Sequence, residues 1–219
     1  MLSALLEQTD RPLNVLCLGA HSDDIEIGCG GTLLWLLASG RTINLTWVVF
    51  ASNDVRRQEA ETGAALFTGN AAQVDLRIHD FRDGFLPTEA IRLKETFETL
   101  KTEIDNPDLI FTHYREDLHQ DHRKVAELTW NTFRNHLILE YEIPKWDGDF
   151  GSPNGFVPLT RDLGLMKIRY LQQAYNSQQT KRWFTDDLFW SVMRIRGMEC
   201  NARETIAEAF YCRKLVVGL

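Results

Sequence analysis

Through its first two thirds the chain alternates short apolar runs with helical segments, and that rhythm admits few folds. Leu13 to Leu18 (LNVLCL), Thr42 to Phe50 (TINLTWVVF) and Leu109 to Thr112 are strand-like, and Val74 to Ile78 makes a further strand. Apolar and β-branched runs of this kind suit strands covered on both faces. Helices are expected over Gly28 to Ser39, closed by Gly40, and over Val55 to Phe67, stopped by Gly69 and Asn70. A third is capped by Thr88 and runs to Ile104, before the break at Pro107-Asp108, and a fourth covers Asp121 to Phe133. Leu137 to Ile143 adds a strand, Pro144 to Pro158 reads as an extended loop, and helices follow over Arg161 to Ala174 and Asp186 to Met198. This β-α-β-α order predicts an α/β, Rossmann-like fold: a mostly parallel sheet with helices on both faces. No repeat or linker divides the chain, so residues 1–219 read as a single domain.

Composition removes several classes of function. The net charge is -7 and no Lys/Arg stripe is present to neutralise phosphates, which excludes a nucleic-acid partner. Lys181-Arg182 is soon followed by Asp186-Asp187 and reads as a solvated helix end. No stretch approaches the roughly 20 apolar residues of a membrane span, and Met1 to Arg11 lacks the apolar run of a signal peptide. Cys17, Cys29, Cys200 and Cys212 are scattered without a CxxC pair, as reduced thiols would be. A cytoplasmic protein is the expectation.

Open α/β sheets bind ligands at the carboxyl ends of their strands. Two polar stretches fall there: His21-Ser22-Asp23-Asp24-Ile25-Glu26 after the first strand, and His113 to His122 after the fourth. Two histidines and a carboxylate, with positions left open, make a hydrolytic metal site, and a second carboxylate beside it suits a general base. Each stretch alone reads better as a solvated loop with a helix cap. Their placement at one end of one sheet favours the metal site. A rival reading rests on Gly28, Gly30 and Gly31, a possible nucleotide-binding turn. Their pattern is GxGG and not GxGxxG, and no acidic residue closes the second strand at Val48-Val49-Phe50.

The sequence HSDDIEIGCGGTL resembles the opening of the PIG-L/LmbE-like zinc-dependent N-deacetylases, a His-Pro-Asp-Asp motif before a glycine-rich helix start. Their second signature, Asp-x-His-x-Asp-His, matches Asp117-Leu118-His119-Gln120-Asp121-His122. Weaker matches follow in order: Arg56 with Glu59, Asp83-Gly84, Pro107-Asp108, Ser152-Pro153-Asn154, Ser177-Gln178 and Ala207-Glu208-Ala209-Phe210. Ser22 replaces the usual proline, and the acidic residue of the motif comes one place later, as Glu26.

The resemblance implies one zinc ion per chain on His21, Asp24 and His122. It implies Asp23 as general base, His119 as the positively charged group that steadies the oxyanion, and Asp121 as the residue that holds the His119 ring. Glu26 is expected to orient a ligand. Arg56, Asp83 and Asp117 are candidates for substrate binding. For each a plainer role stands beside it: an ion pair of Arg56 with Glu59, a turn at Asp83-Gly84, and a bond from Asp117 to a ligand histidine or a loop cap. His113 and Glu208 are left without an assigned role, and Trp146, Phe150 and Phe156 are candidates to stack on a sugar or to meet another subunit. The implied reaction is removal of an N-acetyl group from an amino sugar or an N-acetylglucosamine-containing small molecule, by a homo-oligomer. Hydrolysis of another small amide is the alternative on the same fold.

Overall fold

The computed structural model describes residues 11–216 apart from 70, 72 and 105, so the reading of the N-terminal segment and the stop at Asn70 lie outside it. Five strands follow in chain order: β1 (Leu13–Gly19), β2 (Ile43–Ala51), β3 (Gln73–Phe81), β4 (Leu109–His113) and β5 (Leu137–Tyr141). Between them lie α1 (Asp24–Ala38), α2 (Asp54–Thr68), α3 (Ala90–Glu103) and α4 (Gln120–Thr132). After β5 come β6 (Gly155–Pro158), α5 (Arg161–Ala174), α6 (Asp186–Glu199) and β7 (Ala207–Tyr211). The sheet order is β3-β2-β1-β4-β5-β7-β6; the first five strands are mutually parallel, and β7 runs antiparallel to both its neighbours.

Helices cover both faces, each over its own apolar core. One core joins Val15, Cys17 and Trp47 to Leu33, Phe67, Leu171 and Phe189 beneath α1, α2, α5 and α6. The other joins Leu16, Leu18, Phe50 and Ile110 to Phe97, Val125 and Leu128 beneath α3 and α4. Alternate residues of the same strands feed opposite cores, which is why the strands are apolar on both sides. Among the described residues no helix is long and apolar enough to cross a membrane, and all four cysteines are free.

Several boundaries differ from the sequence reading. α1 starts at Asp24, four residues before the expected Gly28, because the metal-motif carboxylates fill its first turn. Thr88 does not cap α3: its hydroxyl donates to the Phe85 carbonyl at 2.8 Å, and Glu89 takes the cap position. Part of the expected loop, Gly155–Pro158, is strand β6, and β7 beside it is a strand the pattern did not predict. Its buried Glu208 disguises it. That carboxylate accepts the N–H groups of Gly31 (2.8 Å) and Thr32 (2.6 Å) inside α1 and pairs with Lys167 at 2.5 Å. Glu208 is thus a structural clamp on α1. The glycines of α1 are used up by packing: a Cβ on Gly28 would stand 2.2 Å from the Tyr141 ring, and one on Gly30 2.5 Å from Phe67. They give the helix close approach to its neighbours, so the nucleotide-turn reading loses its support.

Candidate active site

β1 and β4 pair side by side, while β1 continues outward to β2 and β4 to β5. The gap between their carboxyl ends is therefore a switch point, where two loops can meet without a crossover helix between them. His21, Asp23 and Asp24 come from the first loop and the start of α1; Asp117, His119, Asp121 and His122 come from the second loop and the start of α4. His21 Nδ1 stands 3.2 Å from His122 Nε2 and 3.4 Å from Asp24 Oδ2, and His122 Nε2 stands 3.5 Å from Asp24 Oδ1. The His119 ring adjoins both, 4.9 Å from His21 and 4.5 Å from His122 between centroids.

The other nitrogen of each converging imidazole rests on a carboxylate. His21 Nε2 lies 3.1 Å from Asp121 Oδ2 and 3.2 Å from Asp83 Oδ1, and His122 Nδ1 lies 3.0 Å from Asp117 Oδ2. Such partners fix the tautomer and turn the free lone pair inward. Burial alone would raise the Asp24 carboxyl, yet His122, His113 and His21 hold it well below the usual range. Burial and the adjacent His113 bring His122 down to about 3, which keeps its lone pair available at neutral pH. His21 is raised well above its ordinary value, despite burial, by Asp24 and Asp121: the cluster stabilises positive charge. Two inward imidazole nitrogens, a carboxylate and a preference for a cation fit a divalent metal. His21, His119 and His122 also form a group whose donor atoms lie within 4.8 Å of one another, as do Asp24, His113 and His122.

Residues 16–133 match the family described as GlcNAc-PI de-N-acetylase (PIG-L), a span that contains both halves of this cluster. The chain belongs to the PIG-L family. Uncharacterized deacetylase YaiS of Escherichia coli K12 is 30% identical over 152 residues, covering 65% of this chain and 80% of that protein. N,N'-diacetylchitobiose deacetylase from Pyrococcus horikoshii has a similar structure, with a TM-score of 0.65 and 22% identity over 90% of this chain and 82% of that one. So does GalB, the 4-carboxy-2-hydroxymuconate hydratase of Pseudomonas putida KT2440, with a TM-score of 0.74 and 14% identity over 94% and 98% of the two chains. These two likenesses show the fold. That one of them is a hydratase makes the residues of the site, not the fold, the basis for a reaction.

Some roles implied by the PIG-L resemblance change when the side chains are seen. The Asp121 carboxylate does not hold the His119 ring: it accepts the N–H groups of Gly84 (2.7 Å) and Leu86 (3.1 Å) and backs His21. His119 instead accepts the Asp121 backbone N–H at its Nδ1, 3.3 Å away. Burial and His21 together lower the pKa of His119, and the bond at Nδ1 leaves Nε2 as the ring nitrogen free to face the cleft. Asp117 is not a substrate residue. It is 1% exposed, lies behind His122 and accepts the His119 N–H at 2.7 Å. The Glu26 carboxyl meets the Tyr175 hydroxyl, which also reaches the Ser22 carbonyl in the first loop.

Arg56 makes the ion pair with Glu59 and also reaches Asp23. Its Nη1 donates to Glu59 at 2.8 Å, its Nη2 lies 2.8 Å from Asp23 Oδ1, and it lines the cleft above the cluster. Ser177 closes the arrangement by donating to Glu59 from N–H (2.6 Å) and hydroxyl (2.7 Å). Burial pushes Asp23 up, and Arg56 and His21 only partly offset it. Asp83 sits on the rim with its side chain 80% exposed, and Gly84, at φ +79°, turns its N–H to Asp121 through a backbone shape that favours glycine. His113 is buried against His122, ring centroids 4.0 Å apart, and its Nε2 accepts the Ala20 N–H at 2.9 Å. That engagement of its lone pair leaves it a buttress.

The cleft measures about 1090 Å³. Trp146 projects into it, as does Trp183, which the sequence reading passed over. Phe150 lies over Arg196 and Phe156 lies on β6, and neither lines the cleft. Beneath the cleft, burial pushes Glu26 up to about 8. A neutral acid there also resolves the geometry, since the one Tyr175 proton serves Ser22 while the Glu26 proton serves the phenol oxygen. In the unfolded chain the same carboxyl titrates near 4.5, so the folded state binds more protons between those values. Its share of stability is present below about 4.5 and is lost as pH rises through about 8, by roughly 1.4 kcal/mol for each pH unit of that interval. Glu26→Gln is expected to flatten this decline in metal-free protein. Unfolding curves for variant and wild type that stay parallel from pH 4.5 to 8 would contradict a neutral Glu26.

Proposed function

We propose that this chain hydrolyses the N-acetyl group of an amino sugar or an N-acetylglucosamine-containing small molecule, with one zinc ion per chain on His21, Asp24 and His122. The observation that carries the reading is Asp23: a buried carboxylate adjoining the donor triad, outside it, and gripped by Arg56. A metal held by the triad supplies Lewis-acid polarisation of the acetyl carbonyl and a lowered water pKa. Asp23 takes the proton of the attacking water, and its upward-shifted pKa suits that task. Arg56 keeps the carboxylate in place and, with Asp83 on the rim, meets substrate hydroxyls at the cleft wall. His119 supports the developing oxyanion through Nε2–H as a neutral donor, a role typically worth about 2.7–4 kcal/mol. Asp23 then returns its proton to the leaving amine.

Trp146 and Trp183 offer apolar faces on which a sugar ring packs. The reading includes a homo-oligomer acting in the cytoplasm, as the resemblance and composition imply. Zinc-loaded protein screened against N-acetylated sugars and glycosides is expected to release one primary amine and one acetate per turnover, to stop with a chelator and to recover with zinc. Hydrolysis confined to other amides supports the alternative on the same fold. Failure to cleave either class overturns the hydrolase reading.

A further inference from the structure

Lys145 lies outside every motif of the sequence, yet its ammonium is fully engaged beside the metal cluster. It is 2.8 Å from Asp117 Oδ2, 2.7 Å from Asp149 Oδ1 and 3.2 Å from the Ile143 carbonyl. Asp149 in turn accepts the Leu118 N–H at 2.7 Å, next to Asp117, so the contacts close into a ring. An ammonium has three protons, and these three acceptors use all of them. Lys145 borders the cleft but keeps no donor for a substrate. Its action is directed inward.

We propose that Lys145 is a positioning residue for the metal centre: it fixes the Asp117 carboxylate against His122 Nδ1 and thereby aims His122 Nε2 at His21 and Asp24. The Asp117 carboxylate has three donors around it. Oδ1 takes the His119 N–H, and Oδ2 is shared by His122 and Lys145. Among the described residues, Oδ2 without Lys145 keeps only the imidazole, and a buried carboxylate loses its one cationic side-chain partner other than histidine. The carboxylate is then free to turn, and with it the ring that depends on it. Loss of such an outer partner typically weakens metal binding by about 10–100-fold.

The inference rests on the reading of His122 as a metal ligand, and its test is separable from that reading. Chelator-treated full-length protein is titrated with zinc against a competing chromophoric chelator, so the readout is affinity and not turnover. Lys145→Met is expected to bind zinc about 10–100-fold more weakly, with Lys145→Arg recovering much of the loss. Asp149→Asn, which loosens the loop but leaves the contact between Lys145 and Asp117, is expected to stay near wild type. If Lys145→Met does not fold, as judged by thermal melting, Lys145→Gln takes its place. Unchanged affinity in the charge-free variants, or equal weakening in Asp149→Asn, overturns the proposal. Wild-type protein that binds no zinc overturns instead the metal reading beneath it.

Discussion

If Asp23 is the base of the proposed reaction, Asp23→Asn is expected to lower kcat by about 10²–10⁴-fold while zinc content stays as in wild type. Asparagine has the size of aspartate and still offers an oxygen to Arg56, which reaches Asp23 Oδ1 at 2.8 Å, so the wall of the cleft keeps its shape. What it lacks is the capacity to accept a proton from water and return it to the amine. Metal retention is the informative half of the result. Asp23 and Asp24 are adjacent, yet only Asp24 stands within 3.5 Å of the His21 and His122 donor nitrogens, and it also takes the His21 N–H at 2.6 Å. The measurement pairs amine-release kinetics with metal content by atomic absorption. Turnover close to wild type removes Asp23 from the role of base, and loss of zinc places it among the ligands.

His122→Ala is expected to empty the site. The ring contributes one of the three converging donors, and its Nδ1 is the link to Asp117 and hence to Lys145. The loss of affinity should exceed the roughly 10–100-fold typical of an outer partner, and turnover should fall with occupancy. Zinc content in the purified variant and the zinc concentration that restores activity both check this. Full occupancy in His122→Ala means that the ligand set is wrong. His119→Ala, measured alongside, then tests whether His119 takes part in holding the metal, since its ring lies 4.9 Å from that of His21.

Much of this site is legible locally. The runs LNVLCL and TINLTWVVF report strands buried on both faces, and the polar residues His21, Asp23 and Asp24 follow directly on a strand end, although the helix that carries Asp24 starts earlier than the pattern shows. The second motif reads as a turn running into a helix at Asp121, and the structure starts that helix one residue earlier, at Gln120, with His119 as its cap. These readings hold because they depend on periodicity and on neighbours within one turn. The missed features depend on contacts far along the chain. Asp121 finds His21 across 100 residues, Lys145 finds Asp117 across 28, and Glu208 reaches into α1 across 177. Alternation of polar and apolar residues has no information on such partners, and a buried Glu or Lys counts in it as exposed.

The sequence by itself determined the alternation of strand and helix, the two-sided burial of the strands and the identity of the polar residues at their ends, since each follows from the side chains of one short segment. The tertiary structure decided which of those residues meet. Only the pairing of β1 with β4 brings the two loops to one switch point, and only the packed interior assigns Asp121 to His21 rather than to His119. The physical reason is that a carboxylate buried in a crowded interior goes to the donors geometry brings within about 3 Å, and that geometry is set by the whole sheet.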